Sequence, residues 1–353
     1  MNALSVPTLD VRTADLRDVR ACTEIDAFVR GRPDATPFHL PAWSRAVEQG
    51  CGQRAHYLVA RGAGDRILGV LPLTEVRSLL FGRALVSAGF AVGGGILADG
   101  RAAPARLTEA ALALARQRGC GSIELRGGEL PDGWTREEGT YAGFARALAI
   151  DEPAILAAIP RKQRAEVRRA LPLEWRVGRG DADLADHYRA YSESVRNLGT
   201  PVFPRALFRA MRDAFGDGCD ILTITDHGQV LASVFSLYLN DAVYPYWGGG
   251  VFAARAARAN EALYFRLMCH AAGRGCTRFD FGRSKLGTGA FAYKKNWGFA
   301  PEPLVYSSIR LDGAPARSVN PLDPRYRRKV EAWKRLPLWL ANRVGPPLAR
   351  GLG

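Results

Sequence analysis

The chain has 353 residues, 47% of them hydrophobic and 24% charged, with 38 glycines and 21 prolines. That is too long for one core of ordinary size and suits two domains of about 150 to 180 residues, while wholesale disorder, collagen and coiled coil are excluded. The net charge is +14, and ten of those charges sit in two places, Arg161–Arg169 (net +4) and residues 320–353 (net +6). Such concentration favours a polyanionic partner, with phosphates on nucleic acid, nucleotide sugar or lipid as the first suspects.

Six cysteines (Cys22, Cys51, Cys120, Cys219, Cys269, Cys276) are scattered without a CxxC or a histidine at zinc-ligand spacing, so they read as buried thiols in a reducing compartment, and no metal is expected. The first twenty residues carry Asp10, Asp15 and Asp18 and no apolar run, so no secretory signal is visible and a cytoplasmic location is expected. The most apolar window, Leu79 to Ala98, holds Arg83 and five glycines, which suits buried strands joined by turns better than a spanning helix.

In chain order, helices are predicted over Asp18 to Arg30 and Pro41 to Gln49. The turn Gly62 to Asp65 then introduces a hairpin strand, Ile67 to Leu73, and Gly93-Gly94-Gly95 ends an apolar strand. Next comes a helix with Leu107, Ala111, Leu112 and Ala115 on one face, closed by Gly119, and a strand from Ser122. The second half repeats this order: helices over Leu184 to Asn197 and Pro204 to Phe215, the turn Asp226-His227-Gly228, and a strand Val230 to Ser236. Gly248-Gly249-Gly250 follows, then a helix with Leu263, Leu267, Met268 and Ala271 on one face, closed by Gly275, and a strand over Arg278 to Phe281. Between the halves, Asp151 is placed to N-cap a short helix Glu152 to Ala158 before Pro160. The boundaries read as 1–150, 151–318 and a basic tail over 319–353.

The order strand, helix, helix, strand, strand, strand, helix, strand resembles the GNAT acyltransferase fold, so the expected fold class is α/β (α+β) with two tandem GNAT-like domains. A tandem of this kind resembles the FemAB family. The strings Ile159-Pro160-Arg161-Lys162-Gln163-Arg164, Ser194-Val195-Arg196-Asn197-Leu198-Gly199-Thr200-Pro201, Phe279-Asp280-Phe281-Gly282-Arg283-Ser284, Lys294-Lys295-Asn296-Trp297-Gly298-Phe299 and Asn320-Pro321-Leu322-Asp323-Pro324-Arg325-Tyr326 resemble its branch associated with exosortase/PEP-CTERM exopolysaccharide loci. The resemblance implies an aminoacyl or acyl transferase that forms an amide on an amine of a peptidoglycan or exopolysaccharide precursor. The implied donor is aminoacyl-tRNA.

Among candidate site residues, the glycines of Gly282 to Gly289 would let the backbone approach an anion while Arg283, Lys285 and Lys294 supply charge. Walker A and Rossmann readings fail on spacing and context. The family's aromatic-Lys-x-x-aromatic-Gly motif resembles Tyr293 to Gly298, which implies that Lys294 steadies the acyl ester and its developing oxyanion. As an exposed side chain, Lys294 is expected to contribute little to stability. Tyr244, Tyr246 and Trp247 lie on the strand that lines the acyl channel in this fold; strand alternation puts the two tyrosines on one face, and the resemblance implies that the Tyr246 phenol faces the acceptor. The resemblance also implies that Arg196 binds the acceptor's phosphates, although Thr200 stands where the family has a partner tyrosine.

Acyl-CoA is the less favoured donor, because Gly250 to Arg258 and Gly95 to Arg106 lack the glycines of the pyrophosphate-binding turn. The runners-up are a CoA-dependent N-acyltransferase of a sugar amine and a non-catalytic binder of phosphorylated glycolipid. Arg161, Arg164 and Arg168 recur at helical spacing on one face, an expected site for polyphosphate or tRNA, with Ala165, Val167 and Leu171 on the apolar side. In the tail, Tyr326, Val330 and Trp333 give a helix over Pro324 to Leu336 an apolar face among arginines and lysines, expected to rest on an anionic membrane at its inner surface.

Overall fold

The computed structural model describes residues 9–78, 82–313 and 324–351. The described elements run β1 (Asp10–Thr13), α1 (Val19–Arg30), α2 (Pro41–Cys51), β2 (Arg54–Arg61), β3 (Ile67–Ser78), β4 (Gly82–Ser87), β5 (Leu97–Ala98), α3 (Ala102–Arg118) and β6 (Ser122–Arg126). They continue with β7 (Thr135–Ala147), α4 (Glu152–Ala158), α5 (Arg161–Ala170), β8 (Glu174–Gly178), α6 (Asp181–Leu198), α7 (Arg205–Phe215), β9 (Cys219–Asp226), β10 (Gln229–Leu239) and β11 (Ala242–Gly250). The last are α8 (Ala259–Gly273), β12 (Arg278–Lys285), α9 (Gly289–Asn296), β13 (Glu302–Arg310), α10 (Pro324–Lys334) and α11 (Leu338–Ala349).

The chain divides into two compact units, one of Met1–Glu138, Val305–Arg317 and Arg350–Gly353, the other of Gly139–Leu304 and Ser318–Ala349. The first is discontinuous because β13 pairs antiparallel with β6 from Tyr306↔Arg126 to Arg310↔Ser122. Its strands are ordered β1-β2-β3-β4-β6-β13, with β5 on β3. Leu58, Leu71, Leu85, Leu107, Ile123 and Leu125 are among its buried core. In the second unit the order is β7-β12-β11-β10-β9-β8, over a core that includes Leu222, Val234, Leu263, Met268, Phe279 and Trp297.

The internal repeat is visible in the hydrogen bonds. At the end of α3, Gly119 N donates to Arg116 O and Cys120 N to Ala115 O; at the end of α8, Gly275 N donates to Ala272 O and Cys276 N to Ala271 O. Both glycines take the positive φ (64° and 84°) that such a close needs. Each close feeds a parallel strand, β6 beside β4 and β12 beside β11. Asp151 caps α4 as expected, accepting from Ala154 N at 2.8 Å, and Asp18, read as the first residue of the first helix, is instead its cap.

The two glycine triplets, by contrast, do different jobs. Gly93-Gly94-Gly95 lies in the loop between β4 and β5, not at a strand end, and a Cβ at Gly95 would stand 1.8 Å from the carbonyl oxygen of Gly127. Gly248-Gly249-Gly250 forms the end of β11. A Cβ on Gly249 would meet Ser194 of α6 at 2.4 Å, and one on Gly248 would meet Tyr264 of α8 at 2.9 Å. Consecutive strand residues point to opposite faces, so α6 and α8 cover opposite faces of this sheet.

Candidate active site

The site is built where two neighbouring strands part. β11 and β12 run parallel and pair only at Ala242↔Arg278 and Val243↔Phe279, after which each continues alone on that side to Gly250 and Lys285. Both strands are irregular beyond the fork. On β11, Pro245 stands opposite Ser236 and Trp247 opposite Phe235, so Tyr246 is the extra residue of a bulge. This breaks the alternation expected of Tyr244 and Tyr246. It is Tyr244 and Trp247 that face Leu237 and Phe235, two residues of one face. Both are buried, 5% and 2% exposed, and Trp247 packs edge-on against Phe208 (5.2 Å) and Phe235 (5.6 Å). They support the wall of the fork from within the core, whereas half-buried Tyr246 sits edge-on to Trp247 at 4.7 Å.

The strand predicted to end at Phe281 runs on to Lys285. Gly282 does not open an anion loop there. At φ 67° it forms an irregularity against β7 between Asp280 and Arg283, and its N–H donates to Asp280 Oδ1 at 3.0 Å. Arg283 stacks its guanidinium 4.5 Å from the Tyr141 ring, and Lys285 pairs with Tyr141 across the sheet. The turn after Lys285 starts α9, where Thr288 accepts from Phe291 N and donates to Lys285 O.

Helix α9 brings Lys294 back onto β12. Its Nζ donates to Arg283 O at 2.8 Å and lies 5.3 Å from the Phe281 ring and 5.5 Å from the Phe144 ring. Lys294 is therefore not the exposed side chain expected. Burial pushes its pKa down to about 7, with Arg283 adding to the shift and Asp280 opposing it. Burial also pushes Asp280 up, against the Gly282 N–H, Arg278 and Lys294. A lysine that titrates near neutrality beside a strand fork can present either an ammonium to a developing oxyanion or a free amine.

A cavity of about 840 Å³ opens in the same unit along the end of β11 and the start of α8. Arg255, Arg258, Lys334, Asn260, Glu261 and Tyr293 line it, the last beside Lys294 on α9. Arg258 caps α8 at φ 57°, a conformation unusual for a residue with a Cβ, and its guanidinium bonds to Glu166. That bond, with Arg169 adding, holds the Glu166 carboxyl below its usual range. Apart from Tyr293, the aromatic of the Lys294 motif, the sequence marks none of these as site residues; Gly250 to Arg258 lacks the glycines of the pyrophosphate-binding turn, and the signal it does carry is the pair of arginines three apart.

Two other candidates are engaged elsewhere. Arg196 donates to Lys334 O (3.2 Å) and Leu336 O (3.3 Å), capping the end of α10, so a phosphate there competes with carbonyls already bonded. Arg164 turns back onto Ile159 O and Ala157 O at the end of α4, while Arg161 and Arg168 stay exposed. The apolar side of α5 is Val167 and Ala170 with buried Gln163; Ala165 is exposed. Charge reversal of Arg161 and Arg168 together is expected to weaken binding of a tRNA probe and flatten its dependence on salt. Arg164→Ala is expected instead to lower stability by about 1–2 kcal/mol through the lost cap. Fluorescence anisotropy between low and moderate salt, with thermal melts, separates the two.

Residues 158–295 match the family model of the acetyltransferase (GNAT) domain. No curated protein matches the chain by sequence. Among solved structures, FemX is similar with a TM-score of 0.65 at 15% identity, covering 86% of this chain and 98% of that one. A tandem GNAT protein from the clavulanic acid biosynthesis pathway aligns with a TM-score of 0.56 at 13% identity, covering 88% and 100%. Saccharomyces cerevisiae N-myristoyltransferase with bound myristoyl-CoA aligns at 0.54 and 10% identity, covering 88% and 80%. The chain thus has the mixed α/β fold of tandem GNAT-like domains, with residues 158–295 of its second half matching the acetyltransferase (GNAT) domain.

Proposed function

We propose that the protein is an aminoacyl or related acyl transferase, taking its acyl group from aminoacyl-tRNA and forming an amide on an amine of a phosphorylated cell-envelope or exopolysaccharide precursor. The observation that carries this reading is the desolvated Lys294 beside the fork of β11 and β12. The acceptor nitrogen attacks the ester carbonyl carbon, a C–N bond forms, and the carbonyl oxygen takes negative charge that the Lys294 ammonium stabilises. The C–O bond to the tRNA ribose then breaks, the leaving oxygen takes a proton, and the amine nitrogen loses one. No protein nucleophile is needed, so catalysis consists of positioning and charge stabilisation. Tyr246 is the phenol assigned to the acceptor side, and Arg283 and Lys285 supply positive charge along β12.

A second reading, a CoA-dependent N-acyltransferase of a sugar amine, is favoured by one observation: the cavity at Gly250 to Arg258 carries Arg255, Arg258 and Lys334 where a pyrophosphate could lie. The purified protein, incubated with radiolabelled aminoacyl-tRNA or acetyl-CoA and amine-bearing nucleotide sugars, tests both. Amide product from aminoacyl-tRNA supports the first reading, and product from acetyl-CoA alone replaces it with the second. Mass spectrometry of envelope precursors accumulating on gene deletion identifies the acceptor.

A further inference from the structure

The described part of the apolar face expected to meet a membrane, Val330 and Trp333, turns partly onto the protein. Val330 of α10 packs on Gly199 at the end of α6, where a Cβ would come within 2.4 Å of it, and the Trp333 indole nitrogen is buried. Residues 320–323 and the side chains of Arg325, Tyr326 and Arg327 lie outside the described residues.

Helix α11 reverses the usual pattern. Ala341, Gly345 and Ala349, each four residues apart, form its buried side, and Gly345 approaches the Val202 backbone so closely that a Cβ would stand 3.1 Å from the amide nitrogen. Small residues face inward, Leu338 and Leu340 are half-buried, and three large apolar residues are exposed. Trp339, Val344 and Leu348 are 69%, 36% and 45% exposed. At 100° per residue Trp339, Arg343, Pro347 and Val344 fall on the arc facing away from Ala341, Gly345 and Ala349, while Leu348 lies at its border beside Ala341. Arg335 stands exposed just before the helix and Arg328 on α10.

We propose that this outer face of α11 docks on an anionic lipid surface, with Trp339 and Val344 entering the headgroup boundary, Leu348 at its edge, and Arg343 and Arg335 holding lipid phosphates. Three features select lipid over a protein partner. The exposed aromatic is a tryptophan, the side chain favoured at membrane interfaces. An arginine stands inside the apolar arc where an acidic headgroup can pair with it, and the surrounding segment is strongly basic. Twelve residues span only about 18 Å, short of the roughly 30 Å hydrocarbon core, so the helix lies in the surface plane. No helix among the described residues is long and apolar enough to cross a membrane. The inference does not depend on the acyl-transfer reading, because binding is measured without substrate.

The test is co-sedimentation of the full chain with phosphatidylcholine vesicles with and without phosphatidylglycerol. Binding to the anionic vesicles only is expected. A Trp339→Glu, Leu348→Glu double variant is expected to bind at least about tenfold more weakly with an unchanged melting temperature, and Arg335→Glu, Arg343→Glu to weaken binding and remove its salt dependence. The milder Trp339→Ala gives the same direction if the double variant folds poorly. Failure of the wild-type chain to bind, or equal binding by the Trp339 and Leu348 variants, overturns the proposal. So does a wild-type dimer in sedimentation velocity that these variants dissolve without any lipid binding, since the face is then a contact between copies.

Discussion

Lys294→Ala is expected to lower turnover by two or more powers of ten, the scale of removing one donor aimed at a developing oxyanion. Substrate binding should change little, because the ammonium acts where charge develops and not where the ground state is held. The pH dependence carries the sign of the role. With its pKa near 7, the lysine is charged below neutrality and loses its charge above it. A cationic role therefore requires kcat/KM to fall about tenfold per pH unit above about 7, and a rate that climbs through 7 would make the free amine the active form. Stability moves the other way. Between about 7 and the ordinary lysine range the unfolded chain binds more protons at this position than the folded one, so this group adds stability as pH rises through that window. Lys294→Met is expected to melt higher than wild type at pH 7, with the difference shrinking towards pH 10. Calorimetry across that range checks it, and a variant that melts lower at every pH makes Lys294 structural.

Much of the fold was legible because it depends on short-range rules written twice. Helix faces at Leu107 to Ala115 and Leu263 to Ala271, the closes at Gly119 and Gly275, and the cap at Asp151 are each decided within a few residues, and their recurrence at a near-constant spacing exposed the tandem. The strand from residues 302–310 that completes the first unit has no such local sign, since its partner β6 lies far back in the sequence. The site was half legible for the same reason. Lys294 was found by its motif, but its burial follows from the return of α9 onto Phe144, Phe281 and the Arg283 carbonyl, contacts set by tertiary packing. The bulge at Tyr246 inserts one residue that no alternation pattern reveals. Arg164 reads as a free charge from its helical spacing and Arg196 as a phosphate ligand from the family resemblance, yet each sits within reach of unsatisfied carbonyls at a helix end, and those bonds decide where the guanidinium points.

Trp297→Ala is expected to cost about 3–5 kcal/mol, the range for removing a fully buried large aromatic, and to take the rate down with it. Trp297 is 0% exposed, packed near the rings of Tyr264 (6.3 Å) and Tyr293 (6.2 Å). It also ends α9: its N–H bonds to the carbonyls of Tyr293 and Lys294, and its own carbonyl accepts from Arg146, whose guanidinium lies 4.4 Å from the Phe299 ring. Gly298 turns the chain at φ 83° with Pro160 pressed against it, so the helix end has little room to relax into the void. Because Lys294 sits one turn before this anchor, loss of the indole should loosen the Lys294 to Arg283 contact that fixes the ammonium. Trp297→Phe keeps most of the packing and should restore both the melting temperature and most of the rate. The contrast with Lys294 is what makes the pair informative. Substitution of the lysine should remove rate with no loss of melting temperature, substitution of the tryptophan should remove both, and a Trp297→Ala protein that melts lower yet turns over normally would show that α9 need not be held for the chemistry.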